Sequence, residues 1–200
     1  MRVLIATTSL DKLREIRGIR RRLPVEIVAL GDLAVVPEPE ETGASFADNA
    51  RAKALYYDAH LGVSGTDRPY TVAEDSGLVV DALAGEPGVH SARFLRPDAS
   101  YPERFAEIHR RLGQARTRSA RFVCALAVVH DGKVIYETTG AIEGEIADTP
   151  RGEGGFGYDP IFYYPPCGHT LAEVTEEEKR RVSHRGEAFR RLASWLEGKT

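Results

Sequence analysis

The chain opens with two short apolar runs that are separated by an amphipathic stretch. Residues 3–6 and 25–29 are bounded by polar positions and predict strands. Between them, residues 10–23 carry an apolar side chain at every third or fourth position, which predicts a helix with one buried face. A strand, a short polar loop and a helix in this order are typical of the opening of an α/β unit.

The helical period returns later in the chain and predicts three more helices, at residues 45–61, 101–113 and 175–197. Ser45 and Asp48 fit a capping box at the start of the first of these helices. Asn49 and Lys53 are one helical turn apart in it and should share a face. The sequence at residues 183–186 predicts a break, or a second helix start, inside the last helix.

Apolar runs in the second half of the chain predict antiparallel strands. Residues 121–130 and 133–140 form a predicted hairpin across Asp131 and Gly132, a dipeptide that favours a type I′ turn. Residues 141–147 predict a further short strand that leads into a glycine-rich loop.

One apolar run, residues 71–83, contains an acidic and polar interruption at Glu74, Asp75, Ser76 and Gly77. Carboxylates among apolar strand residues are costly unless they are paired or bound to a metal ion. This stretch is therefore the acidic feature of the chain that points most strongly to a functional site.

The glycine-rich loop, residues 150–160, contains Phe156, Tyr158 and Asp159 among four glycines. Glycine allows positive φ angles and lets a ligand approach the main chain closely. An aromatic ring could stack on a planar base while a carboxylate contacts the edge of that base. Taken alone, the loop is better described as a tight turn between two strands, which is the commoner case.

Composition narrows the classes of protein that the chain could belong to. The 200 residues suit one domain, or one domain with a lobe, and 42% of them are hydrophobic. The net charge of -3 provides no basic field for a nucleic-acid backbone, although it does not argue against binding single nucleotides.

The two cysteines have neither a disulfide nor a zinc spacing. No apolar run approaches the ~18 residues of a membrane span, and the start is unlike a signal peptide, so we expect a cytoplasmic protein with no membrane partner.

The polar positions that stand out are of three chemical kinds. Lys12, Lys53, Lys179 and Arg185 are cations on separate segments, and Lys12 follows three hydroxyl residues at the start of a predicted helix. Carboxylates suited to Mg²⁺ are found at Glu40, Glu41 and Asp75. A planar base could be held by Phe156, Asp159, His184 and Arg185. Together these groups describe a nucleoside triphosphate site without a P-loop motif. For residues 7–12 alone, an N-cap followed by a surface lysine is the simpler alternative.

With these residues in place, the sequence resembles the inosine triphosphate pyrophosphatase family, also called the dITP/XTP pyrophosphatases. The resemblance covers nearly the whole chain and depends on five segments in a fixed order. They are residues 7–12 with Glu15; residues 40–43 with Phe46, Asn49, Ala50 and Lys53; residues 75–78, 87–88 and 91–93; residues 154–160; and Lys179 with residues 183–186.

The resemblance implies a fold, an assembly and a reaction. The fold would be α/β, with an elongated mixed central sheet flanked by helices, of the Maf/Ham type. Residues 1–200 would form a single nucleoside triphosphate pyrophosphatase domain, with the site between two lobes if it has two, and the protein would be a homodimer. The reaction would be the Mg²⁺-dependent hydrolysis of non-standard purine triphosphates (ITP, dITP, XTP) to the monophosphate and pyrophosphate.

The resemblance also implies roles for individual residues. Asp75 would be the proton acceptor, and Glu40 and Asp75 would bind Mg²⁺. The substrate would be bound by Thr7, Thr8, Ser9, Leu10, Asp11, Lys12, Lys53, Ser76, Phe156, Gly157, Tyr158, Asp159, Lys179, His184 and Arg185. The chain departs from the family pattern at two positions, because Ser9 stands where Asn is common and Glu74 where Asp is common.

Two other functions compete with this one. A nucleotide-binding regulator without turnover would be expected to lack the metal carboxylates or Lys53, and all of these are present. A pyrophosphatase for another class of triphosphate, such as pyrimidine triphosphates, is disfavoured by residues 183–185. A purely structural role for His184 and Arg185, at the start of a helix, is a third alternative for those two residues.

Overall fold

The fold is organised around one mixed β-sheet. The computed structural model describes residues 1–20, 25–30, 36–61, 65 and 68–199. Within these ranges seven strands pair in the order β2-β1-β3-β4-β5-β6-β7. The strands are β1 (Arg2–Ile5), β2 (Glu26–Ala29), β3 (Tyr70–Val80), β4 (Ser119–His130), β5 (Lys133–Ile146), β6 (Phe162–Tyr164) and β7 (His169–Thr170). Strand β1 is parallel to β2 and β3, and the remaining pairs are antiparallel.

Helices flank this sheet, which confirms the predicted mixed α/β architecture. They are α1 (Leu10–Arg20), α2 (Phe46–Ala59), α3 (Tyr101–Leu112), α4 (Glu176–Val182) and α5 (His184–Glu197). The predicted break in the last helix is confirmed, because Ser183 is extended and its hydroxyl accepts a hydrogen bond from Gly186 N to cap α5. The end of the first predicted helix, residues 21–23, lies outside the described residues. Across the described ranges, no helix is long and apolar enough to span a membrane.

The hairpin between β4 and β5 forms as predicted, with φ of 51° at Asp131 and 70° at Gly132, as a type I′ turn requires. The prediction of a separate strand over residues 141–147 is wrong, because β5 continues unbroken from Lys133 to Ile146. Gly140 is a point of close packing rather than a turn. A Cβ at Gly140 would lie 2.2 Å from the main-chain oxygen of His184, at the start of α5.

The alternation of side chains along the central strands divides the core between the two faces of the sheet. Leu4, Ala73, Ala125 and Ala127 pack on one face against Ala50, Ala54 and Tyr57 of α2. Val3, Ile5, Val72, Leu126 and Val128 pack on the other face against Phe189, Leu192 and Leu196 of α5. A third cluster joins the far half of β3 and β4 to α3 and β6. The polar residues 74–77 lie inside β3, where these clusters meet, instead of ending the strand.

Candidate active site

The alternation along β3 sends neighbouring carboxylates in opposite directions. Asp75 faces α2, where it contacts Asn49 and Lys53. Glu74 is within ion-pair distance of Lys12 of α1 and Arg185 of α5, and Ser76 also contacts Arg185. One strand therefore supplies acidic side chains to two separate polar clusters. The prediction that Asn49 and Lys53 share a helix face is confirmed by their common contact with Asp75.

Both oxygens of Asp75 accept hydrogen bonds. Asn49 Nδ2 donates to Oδ2 at 3.0 Å, and Lys53 Nζ donates to Oδ1 at 3.2 Å. Burial raises the pKa of Asp75 above its ordinary value, and the nearby charge of Glu41 adds to this effect, while Lys53 and Asn49 oppose it. A buried carboxylate with a raised pKa, at the wall of a cavity, has the properties of a candidate general base.

Glu41 completes this acidic cluster from the loop before α2. Lys53 Nζ lies 2.6 Å from Glu41 Oε1, so its ammonium bridges Glu41 and Asp75. Arg93 donates to the second carboxylate oxygen of Glu41 at 3.0 Å and to its main-chain oxygen at 2.9 Å. Burial lowers the pKa of Lys53, but Asp75 and Glu41 outweigh it, so the net direction is upward and the ammonium stays protonated.

The pKa of Glu74 is shifted in the opposite direction from that of Asp75. Its side chain is 2% exposed, and its Oε1 lies 2.9 Å from Lys12 Nζ and 3.5 Å from Arg185 Nε. Burial alone would raise the pKa of Glu74, yet the charges of Arg185, Lys12 and Lys53 hold it well below the ordinary value. A carboxylate that stays ionised in this way suits the holding of cations better than proton transfer.

A third polar cluster, formed by Lys179, Glu15 and Asp159, lies under the ring of Phe156. Lys179 Nζ is 2.5 Å from both Glu15 Oε1 and Asp159 Oδ2, and it sits 4.7 Å from the centre of that ring. Arg185 lies 5.5 Å from the same ring centre and also bonds to Glu15. These cation–π contacts fix one face of Phe156 over buried cations.

The glycine-rich loop is shaped by Asp159. Its Oδ2 accepts a hydrogen bond from Phe156 N at 2.7 Å. Gly155 has a φ of 68°, and a Cβ there would lie 2.2 Å from Asp159 Oδ2. The glycine at this position is therefore required by the turn that presents Phe156.

His184 is a buried and neutral side chain at the start of α5. Its ring stacks on Phe122, with 4.8 Å between ring centres and 14° between planes. Burial lowers the pKa of His184 well below its ordinary value, and the charge of Arg185 adds to this. Within the described part of the chain, its Nδ1 has no hydrogen-bond partner. This nitrogen is free to contact a polar ligand atom.

The three clusters surround a cavity of about 120 Å³. Of the sequence-predicted residues, the cavity is lined by Lys12, Asp75, Ser76, Phe156, Gly157, Tyr158, Asp159, Lys179, His184 and Arg185. Lys53 does not line the cavity, but it donates a hydrogen bond to Asp75, which does. A cavity of about 280 Å³ adjoins it, because Phe156 and Lys179 line both, and Asp11 lines this second space.

The remaining predicted residues lie at the edge of this arrangement. Thr7 and Ser9 form the turn between β1 and α1, where Thr7 Oγ1 accepts from Ser9 N and Ser9 Oγ accepts from Lys12 N at 3.4 Å. Thr8 and Leu10 are exposed. Glu40 is also exposed, while its neighbour Glu41 makes the contact with Lys53.

The predicted Mg²⁺ can be compared with the donor groups present. Among the described residues, no three Asp, Glu, His or Cys side chains form a ready-made metal site. Mg²⁺ is often held by only one or two carboxylates together with substrate phosphates. Asp75 and Glu41 fit that requirement, because an oxygen of each lies within 3.2 Å of one cationic atom, Lys53 Nζ.

Several residues of the site were not assigned a role from the sequence. Glu15, Asn49 and Arg93 belong to the segments that carry the family resemblance, and that membership was the signal that could have identified them. Phe122 and Tyr101 also line the cavity. They occur in ordinary strand and helix patterns, which contain no signal for a site.

Comparisons with known proteins match the chain over almost its whole length. A profile described as the Ham1 family matches residues 3–195. A dITP/XTP pyrophosphatase of Geobacillus kaustophilus is 44% identical over 192 residues, which cover 95% of this chain and 91% of that protein. A dITP/XTP pyrophosphatase of Gloeobacter violaceus is 45% identical over 193 residues, covering 96% of this chain and 92% of the relative.

Solved structures show the same similarity. A HAM1 protein from Coxiella burnetii superposes with a TM-score of 0.88 at 36% identity, and each chain is covered to 99%. A nucleoside-triphosphatase described as a dITP/XTP pyrophosphatase from Mycobacterium abscessus has a TM-score of 0.74 at 41% identity, covering 96% of this chain and 98% of the other. The match to the family profile includes every segment that lines the cavity.

Proposed function

We propose that this chain, which belongs to the Ham1 family, is a nucleoside triphosphate pyrophosphatase that hydrolyses ITP, dITP and XTP to the monophosphate and pyrophosphate. The observation that carries the proposal is the position of Asp75. A buried carboxylate with a raised pKa lines a cavity that is also lined by the ring of Phe156 and by three cationic side chains, and a fourth cation, Lys53, contacts the carboxylate itself. Relatives named dITP/XTP pyrophosphatase match the chain at more than 40% identity.

The cations of the site would receive the triphosphate. Lys12, Lys179 and Arg185 line the cavity and Lys53 is in contact with Asp75. A triphosphate repels a nucleophile until its negative charges are neutralised, so cations placed here favour attack on it. Each of these cations is paired with a carboxylate in the protein. The pairing keeps the cations in place before substrate enters.

Asp75 would act as the proton acceptor for the attacking water. Water is a poor nucleophile at neutral pH, and a positioned base typically accelerates such a step by about 10²–10⁴-fold. Asn49 and Lys53 hold the carboxylate between them and would fix its orientation. The proton from water would go to Asp75, and the leaving group would be pyrophosphate.

Mg²⁺ would be held by Asp75 and Glu41, whose oxygens share Lys53 Nζ. Glu40, which the sequence assigned to the ion, is exposed and precedes Glu41 in the chain. When bound, the ion neutralises phosphate charge and stabilises the leaving pyrophosphate. The proposed homodimer and the proposed cytoplasmic location belong to the same hypothesis.

The purine base would contact Phe156 and His184. Hypoxanthine and xanthine carry an oxygen acceptor at position 6, where adenine carries an amino donor. If a buried donor such as His184 Nδ1–H points at position 6, it forms a hydrogen bond with the oxygen of hypoxanthine or xanthine. It cannot bond to the amino group of adenine, which is itself a donor. A buried polar group left unpaired costs about 1–3 kcal/mol, which is enough to discriminate between the two bases.

One experiment tests the reaction class. The protein is incubated with Mg²⁺ and, separately, ITP, dITP, XTP, GTP and ATP, and the products are separated by chromatography. We expect monophosphate and pyrophosphate, formed faster from ITP, dITP and XTP than from ATP. Release of orthophosphate and a nucleoside diphosphate, or no turnover of any of the five, would contradict the proposal.

A further inference from the structure

Lys53 occupies the space between the two carboxylates that are best placed to share a cation. Its Nζ is 2.6 Å from Glu41 Oε1 and 3.2 Å from Asp75 Oδ1. The Lys53 side chain is 8% exposed, and those of Asp75 and Glu41 are 6% and 21% exposed. A single ammonium therefore compensates two largely buried negative charges.

The other oxygens of both carboxylates are already bonded. Asp75 Oδ2 accepts from Asn49, and Glu41 Oε2 accepts from Arg93. A divalent cation that bridges Asp75 Oδ1 and Glu41 Oε1 would lie where Lys53 Nζ now lies, and the two cations would repel each other there. Lys53 is the donor that the two carboxylates share.

Lys53 is also the donor that can leave most readily. Both polar atoms of the Asn49 amide are hydrogen-bonded. Its Nδ2 donates to Asp75, and its Oδ1 accepts from Gly43 N at 2.7 Å. Arg93 is held to Glu41 by two hydrogen bonds, one of them to the main chain. A lysine ammonium is a point charge on a flexible stem of four methylene groups, so it can move without disturbing the backbone.

We propose that Lys53 is a placeholder cation, which neutralises Asp75 and Glu41 until a divalent metal ion replaces it. In the nucleotide-free protein Lys53 and the metal compete for the same two oxygens, so metal binding is weak. An entering triphosphate supplies a new partner for the displaced ammonium, so metal and nucleotide bind with positive coupling. The part of this inference that concerns the triphosphate rests on the proposed function.

The test measures metal binding without nucleotide and without turnover. Mn²⁺ is titrated into the nucleotide-free full-length protein, and free Mn²⁺ is followed by its electron paramagnetic resonance signal. Lys53→Met removes the competing charge, and we expect its Mn²⁺ affinity to exceed that of the wild type by at least about tenfold, since like charges a few ångströms apart repel strongly where water is largely excluded. Lys53→Arg keeps the charge and should bind Mn²⁺ as the wild type does.

Two further variants exclude other causes of tighter binding. Arg51→Gln removes one positive charge from the same helix, but Arg51 is bound to Glu137 and Asp48 on the surface, so Mn²⁺ affinity should not change. Adding Asp75→Asn to Lys53→Met should abolish the gain, because the metal then loses the oxygen that Lys53 had occupied. Lys53→Gln, whose amide can still donate to one carboxylate, provides the same test if the methionine variant does not fold.

Unchanged or weaker Mn²⁺ binding by folded Lys53→Met and Lys53→Gln would overturn the inference, whatever the protein hydrolyses. Equal gains in Lys53→Met and Arg51→Gln would overturn it too, because net charge alone would then explain them. Absence of ITP hydrolysis would instead reject the proposed function and leave the nucleotide-free competition intact. The two ideas therefore fail through different measurements.

Discussion

Lys12 and Glu74 form an ion pair in which Nζ lies 2.9 Å from Oε1, although Glu74 belongs to the middle of a central strand. The same carboxylate oxygen lies 3.5 Å from Arg185 Nε, so Glu74 joins a cation of α1 to a cation of α5. Glu74 and Asp75 are adjacent in sequence and have opposite pKa shifts. Burial raises the pKa of both carboxyls, but the cations around Glu74 outweigh it, whereas at Asp75 burial, helped by the charge of Glu41, outweighs Lys53. Glu74 would therefore position cations, and Asp75 would accept the proton.

Asp75→Asn should abolish turnover, while nucleotide binding through the cations of the site should largely survive the loss of one metal ligand. The amide has nearly the shape of the carboxylate but cannot accept the proton, so kcat for ITP should fall by about 10²-fold or more. Steady-state kinetics give kcat, and calorimetry with ITP and Mg²⁺ gives the affinity. Retention of more than about a tenth of the wild-type kcat would reject Asp75 as the base.

The pH dependence of the reaction should reflect the raised pKa of Asp75. The base must be deprotonated to act, so kcat/KM should fall at acid pH as Asp75 takes up a proton. Asn49→Ala removes a hydrogen bond that favours the ionised form. The pKa of Asp75 should rise further, and the acid limb should move to higher pH.

Profiles of kcat/KM against pH are measured at the same Mg²⁺ concentration for the wild type and Asn49→Ala, and the difference between their acid limbs is the test. An acid limb that stays in place, or moves to lower pH, would show that another group titrates in this range.

Glu74→Gln should lower stability at neutral pH. The substitution leaves Arg185 and Lys12 beside a neutral side chain, and the loss of one partner from a buried pair typically costs about 3–5 kcal/mol. Because the pKa of Glu74 is lower in the folded than in the unfolded state, its stabilisation is present above the ordinary value of 4.5 and disappears as the pH falls towards the folded value. The difference in Tm between wild type and variant should therefore shrink below about pH 4.5.

Thermal unfolding of both proteins at neutral pH and at about pH 4 checks this sign. A Tm difference that is constant, or that grows on acidification, would contradict the ionised state of Glu74.

His184→Phe should reduce the preference for ITP without reducing stability. The phenyl ring can keep the stacking on Phe122, while the unpartnered Nδ1 is removed from a buried position. If His184 donates to the oxygen at position 6, kcat/KM for ITP falls and that for ATP holds, and the ratio drops roughly tenfold for a hydrogen bond of this kind.

Kinetics with ITP and ATP and a melting curve are needed together. An unchanged ratio would exclude recognition of the base by His184, and a large loss of Tm would assign the residue a structural role. Arg185→Ala is a weaker test of base recognition, because its guanidinium bonds to Glu15 and Ser76 and its removal should also destabilise the protein.

Local patterns in the sequence were sufficient for most elements of the fold, because helix and strand periods and turn residues act over a few positions. The turn at Asp131 and Gly132 and the start of α5 after Ser183 were predicted for this reason. The pattern failed at Gly140, where a glycine suggested the end of a strand. A glycine is needed at this position because the main chain of His184 packs too closely for a Cβ. His184 is 44 positions away in sequence, so this contact exists only after folding.

The sequence also determined which chemical groups the site contains, since the motif segments include Asp75, Lys53 and Glu74. Only the tertiary structure decided how these groups are paired. Successive residues of a strand point to opposite faces, so Asp75 contacts α2 while Glu74 contacts cations from α1 and α5. The pKa shifts follow from burial and from these partners, and both arise only when segments that are distant in sequence come together.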